Sequence, residues 1–368
     1  MSAHKMLSAL LCLLAVCGYA RDDDKTVPGP ESNDLRPRVH GYLLMALDSR
    51  QITALELPSG KETIIKPSRP SHPNDDPTIH MLSGPDSEGR IAYIEDHFFV
   101  PNDKDRRHLL KMIKLDGTQE TELFSRPGDA MWKRKGEIGD HLALSSIGGR
   151  VAFISGLKGA QMPRALLQEG SIEIWELTRK TGRKTEIKAI DDGLAWFPDG
   201  KRLAFVKLVK PEEAWKEQQA EFFGTTYRGW DKVPAVFMRD VESGAESFVA
   251  VGWRQVISPD GRSVLIANAD LNSYRRIDLE PTKMTMVKWK GGWGEPIAWP
   301  AEDIALSWCL PTQGTQIKYT QNNSPLVGPK LMLTVKLTRF NTDEFETIVP
   351  YIDPRQKVSF GVVKREQK

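Results

Sequence analysis

The residues of this chain that could do chemistry are few and scattered. Seven histidines stand at 4, 40, 72, 80, 97, 108 and 141. Asp75 and Asp76 with His80, and Asp96 with His97, come nearest to a metal-binding group. Neither has a spacing known to hold an ion, so solvated loop positions are expected. The run Lys104-Asp105-Arg106-Arg107-His108 mixes both signs of charge and is also expected to be a solvated loop. Asp191 and Asp192 precede a strand, where they face either a ligand or a wet turn. Cys309 lies in the apolar run Ala305–Leu310 and is expected to be a buried, inert thiol. There is no Gly-x-Ser-x-Gly elbow, His-Glu-x-x-His, Cys-x-x-Cys or Walker-type loop. No catalytic residue, metal or cofactor is therefore assigned.

Aromatic residues offer recognition rather than catalysis. Of ten tryptophans, Trp132, Trp253 and Trp293 fall between strand-like runs, where rings can stack on sugars or clasp a peptide. Packing between sheets is the competing role. The longest insert begins at Lys210-Pro211-Glu212-Glu213, with a proline and acids suited to a first helical turn, so one helical insert is expected. Trp215, Phe222 and Phe223 would form its apolar stripe, and Tyr227, Arg228 and Trp230 follow. This is either a docking element or a helix packed on the rim of the fold.

The elements that must hold these residues show themselves by repetition. Four segments share a Gly turn, one or two cations and a short apolar strand: 86–94 around Gly89, 146–154 around Gly149, 197–206 with Pro198-Asp199-Gly200, and 258–266 with Pro259-Asp260-Gly261. A weaker copy spans 299–306. In Pro-Asp-Gly the proline presets φ, the aspartate can bond the following backbone, and glycine accepts the left-handed conformation. A second kind of hairpin follows each first one, as in Leu55–Glu62, Met112–Thr118 and Val236–Ala245. Two hairpins make four antiparallel strands, A to D. The marker glycines are 51 to 61 residues apart, the period of a propeller blade with inserts.

The combination of Phe/Ser-Pro-Asp-Gly-Lys/Arg, an apolar strand and a strand ending in a Thr/Ser-Gly turn resembles the blades of TolB-like bacterial propellers. The resemblance covers roughly residues 38–363. It implies an all-β β-propeller of four-stranded antiparallel sheets; counting the repeats gives six blades, with a seventh left open by the stretch 310–350. The first blade, near 40–65, lacks its A strand, and Lys357–Val363 is expected to supply it. Antiparallel order puts A–B and C–D turns on one face of the disc and B–C and D–A loops on the other. The tight glycine turns all belong to the first face and the long insertions to the second, which is therefore the expected binding surface.

The first 20 residues read as a secretory signal: Lys5, an apolar run from Leu7 to Val16, then small residues ending at Ala20. That layout favours cleavage near Ala20 over lipidation at Cys17, because Val16 is a poor residue before a lipidated cysteine. Residues 21–37 are expected to be a disordered linker, 38–364 one propeller and 365–368 a polar tail. Export places the mature chain in the periplasm or outside the cell, with no transmembrane segment. Lys and Arg (51) nearly balance Asp and Glu (49), so no strong field points to nucleic acid. The expected partner is a protein, peptide or glycan. The rival is an enzyme of the lyase, lactonase or glycosidase kind, with carboxylates or a metal gathered from several blades at the channel mouth.

Overall fold

A computed structural model describes residues 34–47, 51–68, 77–97, 106–127, 141–147, 149–159, 168–191, 193–210, 232–267, 273–288, 294–309, 333–342, 344–352 and 357–363. They form six four-stranded antiparallel sheets. Blade 1 contains β1 (Gly41–Leu47), β2 (Gln51–Leu57) and β3 (Glu62–Lys66). Blade 2 contains β4 (Thr78–Ser83), β5 (Arg90–His97), β6 (Arg107–Lys114) and β7 (Thr121–Pro127). Blade 3 contains β8 (Leu142–Leu144), β9 (Arg150–Gly159), β10 (Gln168–Glu176) and β11 (Thr181–Ile190). Blade 4 contains β12 (Leu194–Trp196), β13 (Arg202–Val209), β14 (Val233–Asp240) and β15 (Glu246–Val251). Blade 5 contains β16 (Trp253–Ile257), β17 (Ser263–Ala267), β18 (Ser273–Leu279) and β19 (Thr282–Lys288). Blade 6 contains β20 (Gly294–Ala301), β21 (Ile304–Cys309), β22 (Leu333–Arg339) and β23 (Phe345–Ile352). The last strand, β24 (Lys357–Gly361), returns to blade 1 and pairs with β1, Leu44 opposite Ser359. The expected closure is what the fold adopts, and the blade count is six.

The first strands of the blades touch one another in a closed cycle: β24, β4, β8, β12, β16, β20 and back to β24. They ring the axis. The core is correspondingly divided into six layers, one in each seam between blades. Leu44, Ile52, Ile79 and Ile91 fill the seam of blades 1 and 2, and Ile154, Ile172, Trp196 and Phe205 that of blades 3 and 4. Strands in such a stack are covered on both faces, which is why β5 and β17 read as nearly continuous apolar runs.

The glycine turns meet the geometry their sequences demand. Gly89, Gly149, Gly200 and Gly261 have φ of 75°, 58°, 66° and 70°. Asp199 Oδ1 accepts the Lys201 and Arg202 backbone N–H groups, at 2.8 and 3.0 Å, and its Oδ2 accepts Arg202 Nε at 2.6 Å. Asp86 repeats the pattern with Glu88 and Arg90. Successive turns also touch. The Ser87 N–H donates to the Ser146 carbonyl, Arg150 Nη1 to the Gly200 carbonyl, and Arg202 Nη2 to the Gly261 carbonyl. These hairpins are thus neighbouring corners on one face of the ring.

One expectation changes. The helical insert is not borne out: the described residues contain no α-helix, only a 3-10 turn at Arg36–Arg38, and 211–231 lie outside them. Just before β1, Leu35 is fully buried in the seam of blades 6 and 1, and Arg36 pairs with Glu346 at 2.9 Å. No helix among the described residues is long and apolar enough to cross a membrane.

Candidate functional site

The face opposite the turns receives the B–C and D–A connections. In blade 2, β5 reaches this face at Asp96 and β6 leaves it at His108. The two residues are cross-strand partners. Asp96 is 1% exposed. His108 Nδ1 lies 2.6 Å from its Oδ1 and His80 Nδ1, on the innermost strand, 3.0 Å from its Oδ2. Burial pushes the Asp96 carboxyl upward; the charges and hydrogen bonds of His80 and His108 overcome that push and hold it at about 2.

Next to it, Glu95 points to the other side of the strand, into the seam with blade 1. His97 Nε2 and Lys111 Nζ lie 2.9 and 2.6 Å from its Oε1, and Lys66 Nζ of blade 1 lies 3.4 Å from its Oε2. Burial again opposes ionisation, and the bonds from His97 and Lys111 with the Lys66 charge leave the carboxyl well below the usual carboxylate range. Lys66 also binds Glu120 at 2.7 Å, and the Tyr93 hydroxyl donates to the same carboxylate. These are saturated carboxylates. Neither Glu95 nor Asp96 retains a proton near neutrality, so neither is a general acid there.

The structure corrects the reading of these residues as solvated loops. Asp96, His97 and His108 lie in strands, and Asp96 and His108 are buried. The sequence held little signal of this: the apolar run from Ile91 ends at Ile94, and Glu95-Asp96-His97 reads equally as a charged loop. Their mutual contact was not legible, because it depends on pairing across a connection of nine residues, from Phe98 to Arg106.

Of the proposed binding residues, Asp191 lies where β11 gives way to β12, with its side chain 6% exposed. His141, just before β8, approaches it from the neighbouring inner strand, Nδ1 3.1 Å from Oδ1, and is 39% exposed. Trp253 lies in β16, not in a loop. It packs against the core layers on both sides of blade 5 and carries the Arg254 guanidinium 5.5 Å from its ring centre. Trp132, Asp192, Trp215, Phe222, Tyr227, Arg228, Trp230 and Trp293 lie outside the described residues. No group of three or more His, Cys, Asp or Glu side chains suited to a metal ion occurs among the described residues.

Fold and site together define a six-bladed β-propeller whose first sheet is closed by the C-terminal strand. Two solved structures agree on that class. TolB from Acinetobacter baumannii superposes with a TM-score of 0.50 at 12% identity, over 87% of this chain and 66% of that one. A chain of the nidogen–laminin complex superposes with a TM-score of 0.51 at 10% identity, over 88% of this chain and 99% of that one. An oligogalacturonate lyase in complex with manganese gives 0.48 at 14% identity, over 77% and 73%. This chain is thus TolB-like in fold, and at such identities the likeness is of fold alone. No family model matches the chain, and no curated protein matches it.

Proposed function

We propose that this chain is an exported, non-catalytic propeller that binds a protein, peptide or glycan on the face carrying its B–C and D–A connections. One observation carries the reading. The A–B and C–D turns are all short, from Pro58–Lys61 in blade 1 to Phe340–Glu344 in blade 6. The B–C connections of blades 2, 3, 4 and 6 instead run to 9, 8, 23 and 23 residues. A rigid ring with one trimmed face spends its chain length on the other, and loops held by a rigid scaffold are where recognition concentrates. The signal-like first 20 residues support a periplasmic or extracellular setting, with the propeller from about residue 35 as the mature domain.

The test replaces residues 211–231 by a short Gly/Ser linker and compares capture of envelope proteins and immobilised glycans with that of the intact chain. Charge reversals at Lys201 and Arg262 on the turn face serve as the control. The reading predicts that the loop replacement loses a partner that both reversals retain. Equal capture by all the variants would overturn it.

A second reading, an enzyme at the channel mouth, is favoured by the His141–Asp191 pair, whose histidine is accessible and oriented by a buried carboxylate. It requires a substrate whose turnover falls at least a hundredfold in His141→Ala, the usual scale for losing an acid–base group.

A further inference from the structure

Each blade ends in an outer strand with a single hydrogen-bonded neighbour, so that a row of backbone N–H and C=O groups faces the flank of the ring. Five of these six strands are paired out of register somewhere along their length. The pairing shifts between Ile52 and Thr53 opposite β3, between Leu110 and Lys111 opposite β7, between Ser171 and Glu173 opposite β11, and between Val236 and Phe237 opposite β15. β23 shifts twice against β22, and Pro350 removes one of its N–H donors. Such irregularities twist an edge away from any strand that could join it.

β19, the outer strand of blade 5, is the exception. Its seven residues pair with β18 without a break, from Leu279 opposite Thr282 to Ser273 opposite Lys288. It contains no proline and no acid, and its only charged residues are Lys283 and Lys288. Thr282 through Met286 are all exposed. Met284 and Met286 stand two apart, hence on one face of the strand, and are 38% and 45% exposed. They are two of the four large apolar side chains that the described residues expose. Lys283 and Thr285 lie on the other face. Asp278, across from Lys283, is held by Arg276 Nε at 2.8 Å and by the Ser263 hydroxyl at 2.6 Å, and Lys283 forms no ion pair among the described residues.

We infer that the outer edge of blade 5 is a strand-addition site for an extended segment of another protein in which acidic and apolar residues alternate. That segment joins β18 and β19 as a fifth strand of the sheet, and main-chain hydrogen bonds supply the pairing. Alternation supplies the selectivity, with apolar side chains beside Met284 and Met286 on one face and carboxylates beside Lys283 on the other. A second copy of this chain fits less well. Each β19 brings two lysines and no acid, so a pair of them would line up four positive charges with none of opposite sign. The site lies on the flank of the ring and stands independently of the loop-face reading above.

The probe is the capped peptide acetyl-Glu-Val-Glu-Val-Glu-Val-amide. Its controls are the peptide with lysine in place of each glutamate and an isomer with all its glutamates ahead of its valines. Each is titrated into the whole protein, and amide hydrogen exchange is followed by mass spectrometry. The alternating acidic peptide is expected to bind saturably and to slow exchange in 282–288, while the other five outer strands exchange as before. Both controls should bind about tenfold more weakly. Met284→Glu combined with Met286→Glu changes only exposed side chains, so the fold survives, and should weaken the acidic peptide about tenfold. Lys283→Glu should move the preference toward the lysine peptide by a similar factor. Absence of saturable binding overturns the inference, as do equal binding of the three peptides and protection that falls on another strand. So does exchange in 282–288 that slows with rising protein concentration when no peptide is present, because the edge would then belong to a second copy.

Discussion

Asp96 shows most directly how burial and charge are balanced in this molecule. A carboxylate that is 1% exposed is tolerated because two imidazoles meet it, and removing one partner of such a group leaves an uncompensated buried charge. Asp96→Ala is expected to cost about 3–5 kcal/mol, measured by urea unfolding at pH 7. The pH dependence has a definite sign. The carboxyl ionises at about 2 in the fold against 3.8 when free, so its contribution is complete above about pH 5 and fades as pH falls from 3.8 toward 2. About 2 kcal/mol is at stake at 1.36 kcal/mol for each pH unit. The intact chain should therefore lose stability over that range more steeply than Asp96→Asn. Parallel profiles would mean that the pair does not carry the charge assigned to it. Cys309 makes a simpler case. It is fully buried, and burial pushes its thiol up, so a thiol reagent should modify it only at the rate of unfolding.

At the scale of the element, the turns that reveal the repeat are not equally constrained. Gly200 and Gly89 share a left-handed backbone, yet their surroundings differ. A methyl group on Gly200 would stand 2.6 Å from the Ile147 carbonyl of the preceding blade, whereas on Gly89 it would meet only Leu115 at 3.7 Å. Gly89→Ala is expected to cost about 1 kcal/mol of conformational strain. Gly200→Ala should cost roughly 2–3 kcal/mol, since a turn in contact with its neighbour cannot shift to relieve the clash. Thermal melts of the two variants decide it, and equal losses would mean that the turns are not packed against each other.

These elements also show how far the chain could be read by itself. Pro-Asp-Gly specifies a hairpin through φ, a side-chain bond and a missing Cβ, all of them local, so the turns at Gly200 and Gly261 were legible outright, and those at Gly89 and Gly149 through the glycine, cation and apolar strand they share with them. Trp253 was not. A tryptophan after Gly252 looks like a loop residue, and only the stacking of blades 4 and 6 on either side packs it, half-buried, against the core. Asp96 and His97 failed in the same way, because a charged strand end and a charged loop have the same composition. The Asp191–His141 contact joins residues 50 apart that no motif connects.

The whole molecule depends on the return of its last strand. β24 supplies the innermost strand of blade 1, and its Ser359 hydroxyl donates to the Gly84 carbonyl of blade 2 at 3.4 Å. A chain ending at residue 352 would leave β1 with an open edge beside the axis and uncover the inner strands on both sides of it. It is expected to lose cooperative thermal unfolding, while a chain ending at residue 363 melts like the full protein. Cooperative unfolding of the shorter chain would show that the ring does not need its clasp. The sequence by itself determined the β class, the blade period, the face on which tight turns lie and the clasp, because each rests on local backbone chemistry or on counting strands. Only the tertiary structure decided which charges are buried and which histidines meet which carboxylates. Those outcomes depend on residues from separate strands and blades coming together across distances that the order of the chain does not encode.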